Sequence, residues 1–156
     1  MNALQPLLQQ QLRSLFDAEV QLHVMLPRMI EKSTDTHLRE GLEQIFGDTR
    51  KNIQQIQDVC NLLGTSPTGV VCRTMQDLIR EAGEATQAAR DAGTTDANLI
   101  ATTQSIVHYE IASFDMARLI ARSLGRQDAT RMLENLTTRA GQHDQLLTEI
   151  ALASVN

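Results

Sequence analysis

The stretch Gly64-Thr-Ser-Pro-Thr-Gly69, "GTSPTG", decides the fold, because of what stands on either side of it. It is a loop by composition, with two glycines and a proline in six residues. On its N-terminal side, apolar residues at helical spacing predict a long helix from about His37 to Leu63. On its C-terminal side comes only a short amphipathic helix, from about Thr74 to Arg90, with Met75, Leu78, Ile79, Ala82 and Ala85 on one side. A second break, "DAGTTDAN" (Asp91 to Asn98), then precedes another long helix from about Ala97 to Leu124. Two long helices are thus separated by about 30 residues that hold a helix of their own, which is a crossover and not a hairpin turn.

The outer links are short by contrast. A first helix from about Gln5 to Lys32, with Pro27 as a kink or early stop, is followed by the capping stretch Ser33-Thr-Asp-Thr36. Gly125 ends the third long helix, and a fourth runs from about Gln127 to Ala153. Four helices of about 27 residues, each about 40 Å long at 1.5 Å per residue, suit a four-helix bundle. Antiparallel hairpins joined by one long crossover predict an all-α, ferritin-like four-helix bundle, with the short crossover helix between long helices 2 and 3. The 156 residues form one domain, 1-156.

Composition agrees and limits the partners. Aromatic residues are only 3% and Trp is absent, while good helix formers abound. A formal charge of -5 and scattered basic residues argue against nucleic acid or an anionic membrane surface as a partner. The N-terminus lacks a basic, apolar leader, and no segment approaches the roughly 18 apolar residues of a membrane span, so a cytoplasmic protein is expected. Cys60 and Cys72 flank the loop. A disulfide closing it is conceivable, and buried free thiols are the preferred reading.

The inward stripes carry the functional clue. Steps of three and four give Leu8, Leu12, Leu15, Glu19, Leu22, Leu26 on the first helix and Leu99, Thr103, Ile106, Glu110, Ser113, Ala117, Ala121, Leu124 on the third. The second gives Leu42, Ile45, Thr49, Ile53, Ile56, Cys60, Leu63 with Asp48 beside it, and the fourth gives Ala129, Leu133, Leu136, Ala140, His143, Leu147, Ile150. Glu19 and Glu110 therefore replace core residues at mid-helix. Buried carboxylates are costly unless something compensates them: a metal, a hydrogen-bonded polar layer or an arginine. His23, one turn after Glu19, reads as a packing or hydrogen-bonding residue before a ligand. Arg118, Arg122 and Arg126 read as a solvated row. No nucleophile triad, phosphate loop or dinucleotide fingerprint appears.

At this point the chain resembles the YciE/YciF family of ferritin-like bacterial proteins, from about Leu12 to Ile150. The resemblance is carried by "DAEVQL" (Asp17 to Leu22), "CRTMQDLIREAGE" (Cys72 to Glu84), "DANLIATTQ" (Asp96 to Gln104) and "HYEIASF" (His108 to Phe114). It implies a ferritin-like bundle, homodimers, an association with stress, and metal ligands at Glu19 and Glu110. The chain departs from the family pattern elsewhere. The pattern His-Leu-x-Glu-Thr stands here as Ile45-Phe-Gly-Asp-Thr49, a further third-helix acid is Val107, and Glu-Glu-Lys is Thr138-Arg139-Ala140. The residual set is Glu19, Asp48, Glu110 and His143, too few anionic ligands for two divalent ions. The expectation is a degenerate site with no cofactor and a structural or interaction role, in which Arg139 pairs with Glu110, Glu19 or both in place of the metal. The alternative is an iron or manganese protein, mononuclear or di-iron, with iron-handling or oxidase activity.

Overall fold

The computed structural model describes residues 3–155 and consists, among these, of five helices and no strand. They are α1 (Leu4–Lys32), α2 (Thr36–Leu62), α3 (Arg73–Ala88), α4 (Ala92–Ser123) and α5 (Gln127–Val155). The helix α1 runs through Pro27 instead of stopping there. Proline removes one N–H and disfavours helix, and the buried residues on both sides of it, Leu22, Leu26 and Met29, hold the element together.

One end of the bundle is closed by two residues that need a specific conformation. Gly64 (φ 67°) and Gly125 (φ 73°) both sit in the left-handed region just past a helix end. In each case the next N–H reaches back five residues, Thr65 to the Cys60 carbonyl and Arg126 to the Ala121 carbonyl, both at 3.0 Å. The start of α2 is capped by Asp35, whose carboxylate accepts from the Leu38 N–H at 2.9 Å.

Helices α1 and α2 form one hairpin and α4 and α5 the other, while α1 packs on α4 and α2 on α5. Their relative direction follows from two ties at opposite ends. The turn between α1 and α2 donates three hydrogen bonds to Asp96 near the start of α4, from Thr34 N, Thr34 Oγ1 and Asp35 N at 2.8, 2.5 and 3.0 Å. At the other end, Arg126 in the turn after α4 donates to the Leu62 carbonyl at the end of α2, at 2.9 Å. The helices α2 and α4 are therefore parallel, and the segment with α3 carries the chain back along the bundle. Its apolar side, Met75 and Ala82 with Thr86, is buried against α1 and α4 and so covers the bundle itself. Helix α4, touched by α1, α3 and α5, is buried on more than one face and carries Ile100, Val107 and Ile120 in addition to its stripe. Between α2 and α5 the approach is close at Gly41, where a Cβ would lie 2.7 Å from Ile150 Cδ1.

One boundary, the start of α4, differs from the sequence expectation by more than two residues. "DAGTTDAN" is mostly helix, because Asp91 caps α4 with its carboxylate accepting from Thr94 N at 2.7 Å and Thr94 Oγ1 at 2.9 Å. The real break is Ala89 to Asp91. Cys60 and Cys72 are both buried and free, and burial raises the Cys60 thiol to about 11.

Candidate functional site

At mid-height the bundle core changes from hydrocarbon to a polar layer. The inward stripes of α1 and α5 are buried throughout as read from the sequence. They bring Glu19, 0% exposed, and His143, 2% exposed, into the interior, and α4 brings Glu110, 2% exposed. On α2 the interior position is Asn52, with Ile53 half-buried beside it. The stripe on α2 therefore steps 45, 49, 52, 56, and the trace through Ile53 misses a residue of the polar layer.

The layer is wired as follows. Asn52 Nδ2 donates to Glu19 Oε1 at 2.6 Å. Arg139 Nη1 donates to Asn52 Oδ1 at 2.6 Å and to Gln55 Oε1 at 2.9 Å. The direct ion pair expected between Arg139 and a glutamate is replaced by this relay. The guanidinium reaches Glu19 through the Asn52 amide, and its charge still favours the ionised form of Glu19. The physical reason is position: Arg139 is half-buried beside the Ala140 and His143 stripe, while Glu19 and Glu110 lie fully inside.

Glu19 and Glu110 lie within hydrogen-bonding reach of each other. Glu19 Oε2 and Glu110 Oε1 are buried and receive no hydrogen bond from any donor group. Two ionised carboxylates cannot satisfy one another, but a shared proton turns the pair into donor and acceptor. Both carboxyls are pushed up by burial. For Glu110 the Glu19 charge and hydrogen bond push further in the same direction. For Glu19 the Glu110 hydrogen bond, then Asn52 and Arg139, pull back down. The Asn52 donor and the Arg139 charge act on Glu19, so the shared proton is favoured on the Glu110 side.

Asp48 and His143 form a second, separate pair, with His143 Nε2 at 2.7 Å from Asp48 Oδ2. Desolvation lowers the His143 pKa, and the Asp48 hydrogen bond opposes that shift. Lys51 approaches Asp48 from solvent at 3.5 Å. His23 packs as read from the sequence: its Nδ1 lies 2.7 Å from Thr49 Oγ1 and its ring stacks on Phe46 at 4.5 Å. Tyr109 and His108 lie away from the layer, Tyr109 OH 3.1 Å from Cys72 Sγ and His108 Nε2 2.8 Å from Asp144 Oδ1.

The four candidate ligands are therefore two pairs. Among the described residues, no group of three or more His, Cys, Asp or Glu is placed to hold a metal ion together. A carboxylate-bridged two-metal centre takes a glutamate from each of two helices and a Glu/His pair from each of the other two. Here Ile45 and Val107, 1% and 0% exposed, fill interior positions with hydrocarbon. Arg139 adds a cation. The donor set does not fit a two-metal group. What it can do chemically is hold a proton between two carboxylates and anchor that pair to a surface-facing guanidinium through an amide.

Two antiparallel hairpins joined by a long crossover, with facing carboxylates at mid-height, define a ferritin-like bundle. The chain belongs to the family described as Domain of unknown function (DUF892), matched over residues 3–156. It is 28% identical over 142 residues to Protein YciF of Escherichia coli (strain K12), covering 90% of this chain and 86% of that protein. The crystal structure of the E. coli stress protein YciF superposes with a TM-score of 0.95 at 27% identity over 100% of this chain and 99% of that one. YcfI from Rhodopseudomonas palustris gives 0.91 at 33% identity, over 94% of each chain. A ferritin-like, diiron-carboxylate protein from Bacillus anthracis str. Ames shares the fold at 14% identity, with a TM-score of 0.74 over 96% of this chain and 99% of that one.

Proposed function

We propose that this chain is a YciF-type ferritin-like protein whose two-metal position has become a proton-sharing carboxylate pair, leaving a structural or interaction role. The observation that carries the reading is the pairing itself. Glu19 and Glu110 keep the ligand positions, while Ile45, Val107 and Arg139 supply hydrocarbon and positive charge where a metal would need anions. The E. coli relative is a stress protein, and the same setting is proposed here. So is association as a symmetric homodimer.

One observation favours a second reading, in which a single iron or manganese ion is held. Glu19 Oε2 and Glu110 Oε1 are buried acceptors without donors, and a cation would satisfy both. Metal analysis after loading the purified protein with ferrous iron or manganese separates the two. The first reading expects far less than one ion per chain, and expects the triple variant Ile45→His, Val107→Glu, Arg139→Glu to gain iron. A stoichiometry near one or two ions per unmodified chain, lost on Glu110→Gln, overturns it.

A further inference from the structure

The row of arginines at the α4–α5 turn acquires a partner from the opposite helix. Arg118 and Arg122 lie one turn apart on α4. Gly125, in its left-handed conformation, reverses the chain immediately after them, and Arg131 on α5 comes to face the same space. The three guanidinium groups line one concavity of about 350 Å³. Arg126, which the sequence places in the same row, is turned away to the Leu62 carbonyl and to Asp128.

We propose that this concavity is a binding site for a phosphate group, carried by inorganic phosphate or by a small phosphomonoester. Three observations carry it. First, charge: Arg118 is held by Asp115 at 2.8 Å, and Glu134 stands at the wall. The Arg122 and Arg131 side chains make no hydrogen bond or ion pair among the described residues. Three cations face two carboxylates in a chain whose net charge is -5. Second, geometry: guanidinium groups bind phosphate oxygens through paired N–H donors, and donors on two helices can grip different edges of one tetrahedral anion. Third, Gln127, the first residue of α5, also lines the concavity. The N-terminus of that long helix lies on the same side, its partial positive charge met in part by Asp128, which accepts from the Ala129 N–H. The surrounding residues are polar, so the site takes a hydrated anion and not an apolar ligand.

Isothermal titration of the full chain at low ionic strength, with inorganic phosphate and with phenyl phosphate, tests this. Saturable binding is expected, weakened about tenfold or more in Arg122→Gln/Arg131→Gln, which removes two charge-assisted contacts. Circular dichroism melting confirms that this exposed double variant folds. Arg50→Gln, exposed on α2 and outside the concavity, should leave the affinity unchanged. Tighter binding of phenyl phosphate assigns an organic phosphate, and equal affinity assigns the bare ion. No saturation by either probe, an equal loss in Arg50→Gln, or succinate binding as well as phosphate overturns the proposal.

Discussion

Glu110 occupies a core position opposite a second buried carboxylate, Glu19. The state of that pair makes stability depend on pH in a definite direction. The Glu110 pKa in the folded protein lies well above the ordinary value of 4.5, first through burial and then through the Glu19 charge. Between that ordinary value and the folded one, the native chain keeps a proton that the unfolded chain releases, so stability falls as pH rises. The limiting slope is about 1.4 kcal/mol per pH unit for one proton. His143 works oppositely. Its lowered pKa makes its contribution present above about 6.5 and lost as pH falls through the folded value. Glu110→Gln separates the two, since an amide keeps a donor to Glu19 but cannot release it as a proton. Urea unfolding from pH 5 to pH 9 should show the variant gaining on the parent as pH rises, and a pH-independent difference would sink the shared-proton account. Both glutamates were legible in the sequence because an acid on an apolar stripe breaks a pattern. Asn52 was not, because a 4-4-3 step through Ile53 and a 4-3-4 step through Asn52 fit the helical period equally well. Only the partner helices decide which one turns inward.

At the scale of the elements, hydrophobic periodicity and loop length identified all five helices, while the boundaries depended on side-chain chemistry that composition hides. "DAGTTDAN" contains a glycine and two threonines that lower helix propensity, and Asp91 outweighs them by satisfying Thr94 N and Thr94 Oγ1 at the first turn. Asp96 looked like part of the same break, yet it holds the α1–α2 turn through three hydrogen bonds. Glycine has opposite meanings at two kinds of position. Gly125 has φ 73°, so Gly125→Ala forces a Cβ into the left-handed region and should cost about 1–2 kcal/mol. Gly47 is exposed inside α2, and a Cβ there meets nothing within 4 Å. Gly47→Ala should therefore stabilise by about 0.5–1 kcal/mol, through a less flexible unfolded chain and better helix propensity. Chemical denaturation of the two variants checks both signs at once; two destabilised proteins would contradict the assignment of Gly47 as a helix-interior residue.

At the scale of the whole molecule, large apolar residues stay exposed at several places, among them Leu7, Val24, Met116 and Leu152. The apolar side of the crossover helix is covered by α1 and α4. Two of the exposed residues lie one turn apart next to it, on the outer face of α1. Val20 is 36% exposed and Val24 70%, and they border a shallow surface shared with Met25 and Ile79. β-branched residues one turn apart on a helix surface are poor choices for solvent, and a two-fold contact would bury the strip against its own copy. Arg28 at the edge of that surface supplies a polar rim. The homodimer proposed for this chain is thus expected to use the α1–α3 face, leaving the polar layer and the arginine concavity in each subunit intact. Sedimentation equilibrium at micromolar concentration should give twice 17.3 kDa. Val24→Asp should return the mass of one chain without lowering helix content, because Val24 is largely exposed in the single chain and a buried, unpaired charge at its own symmetry mate is strongly unfavourable. A parent protein that sediments as a single chain would rule out the dimer, and an unchanged dimer in Val24→Asp would rule out this face.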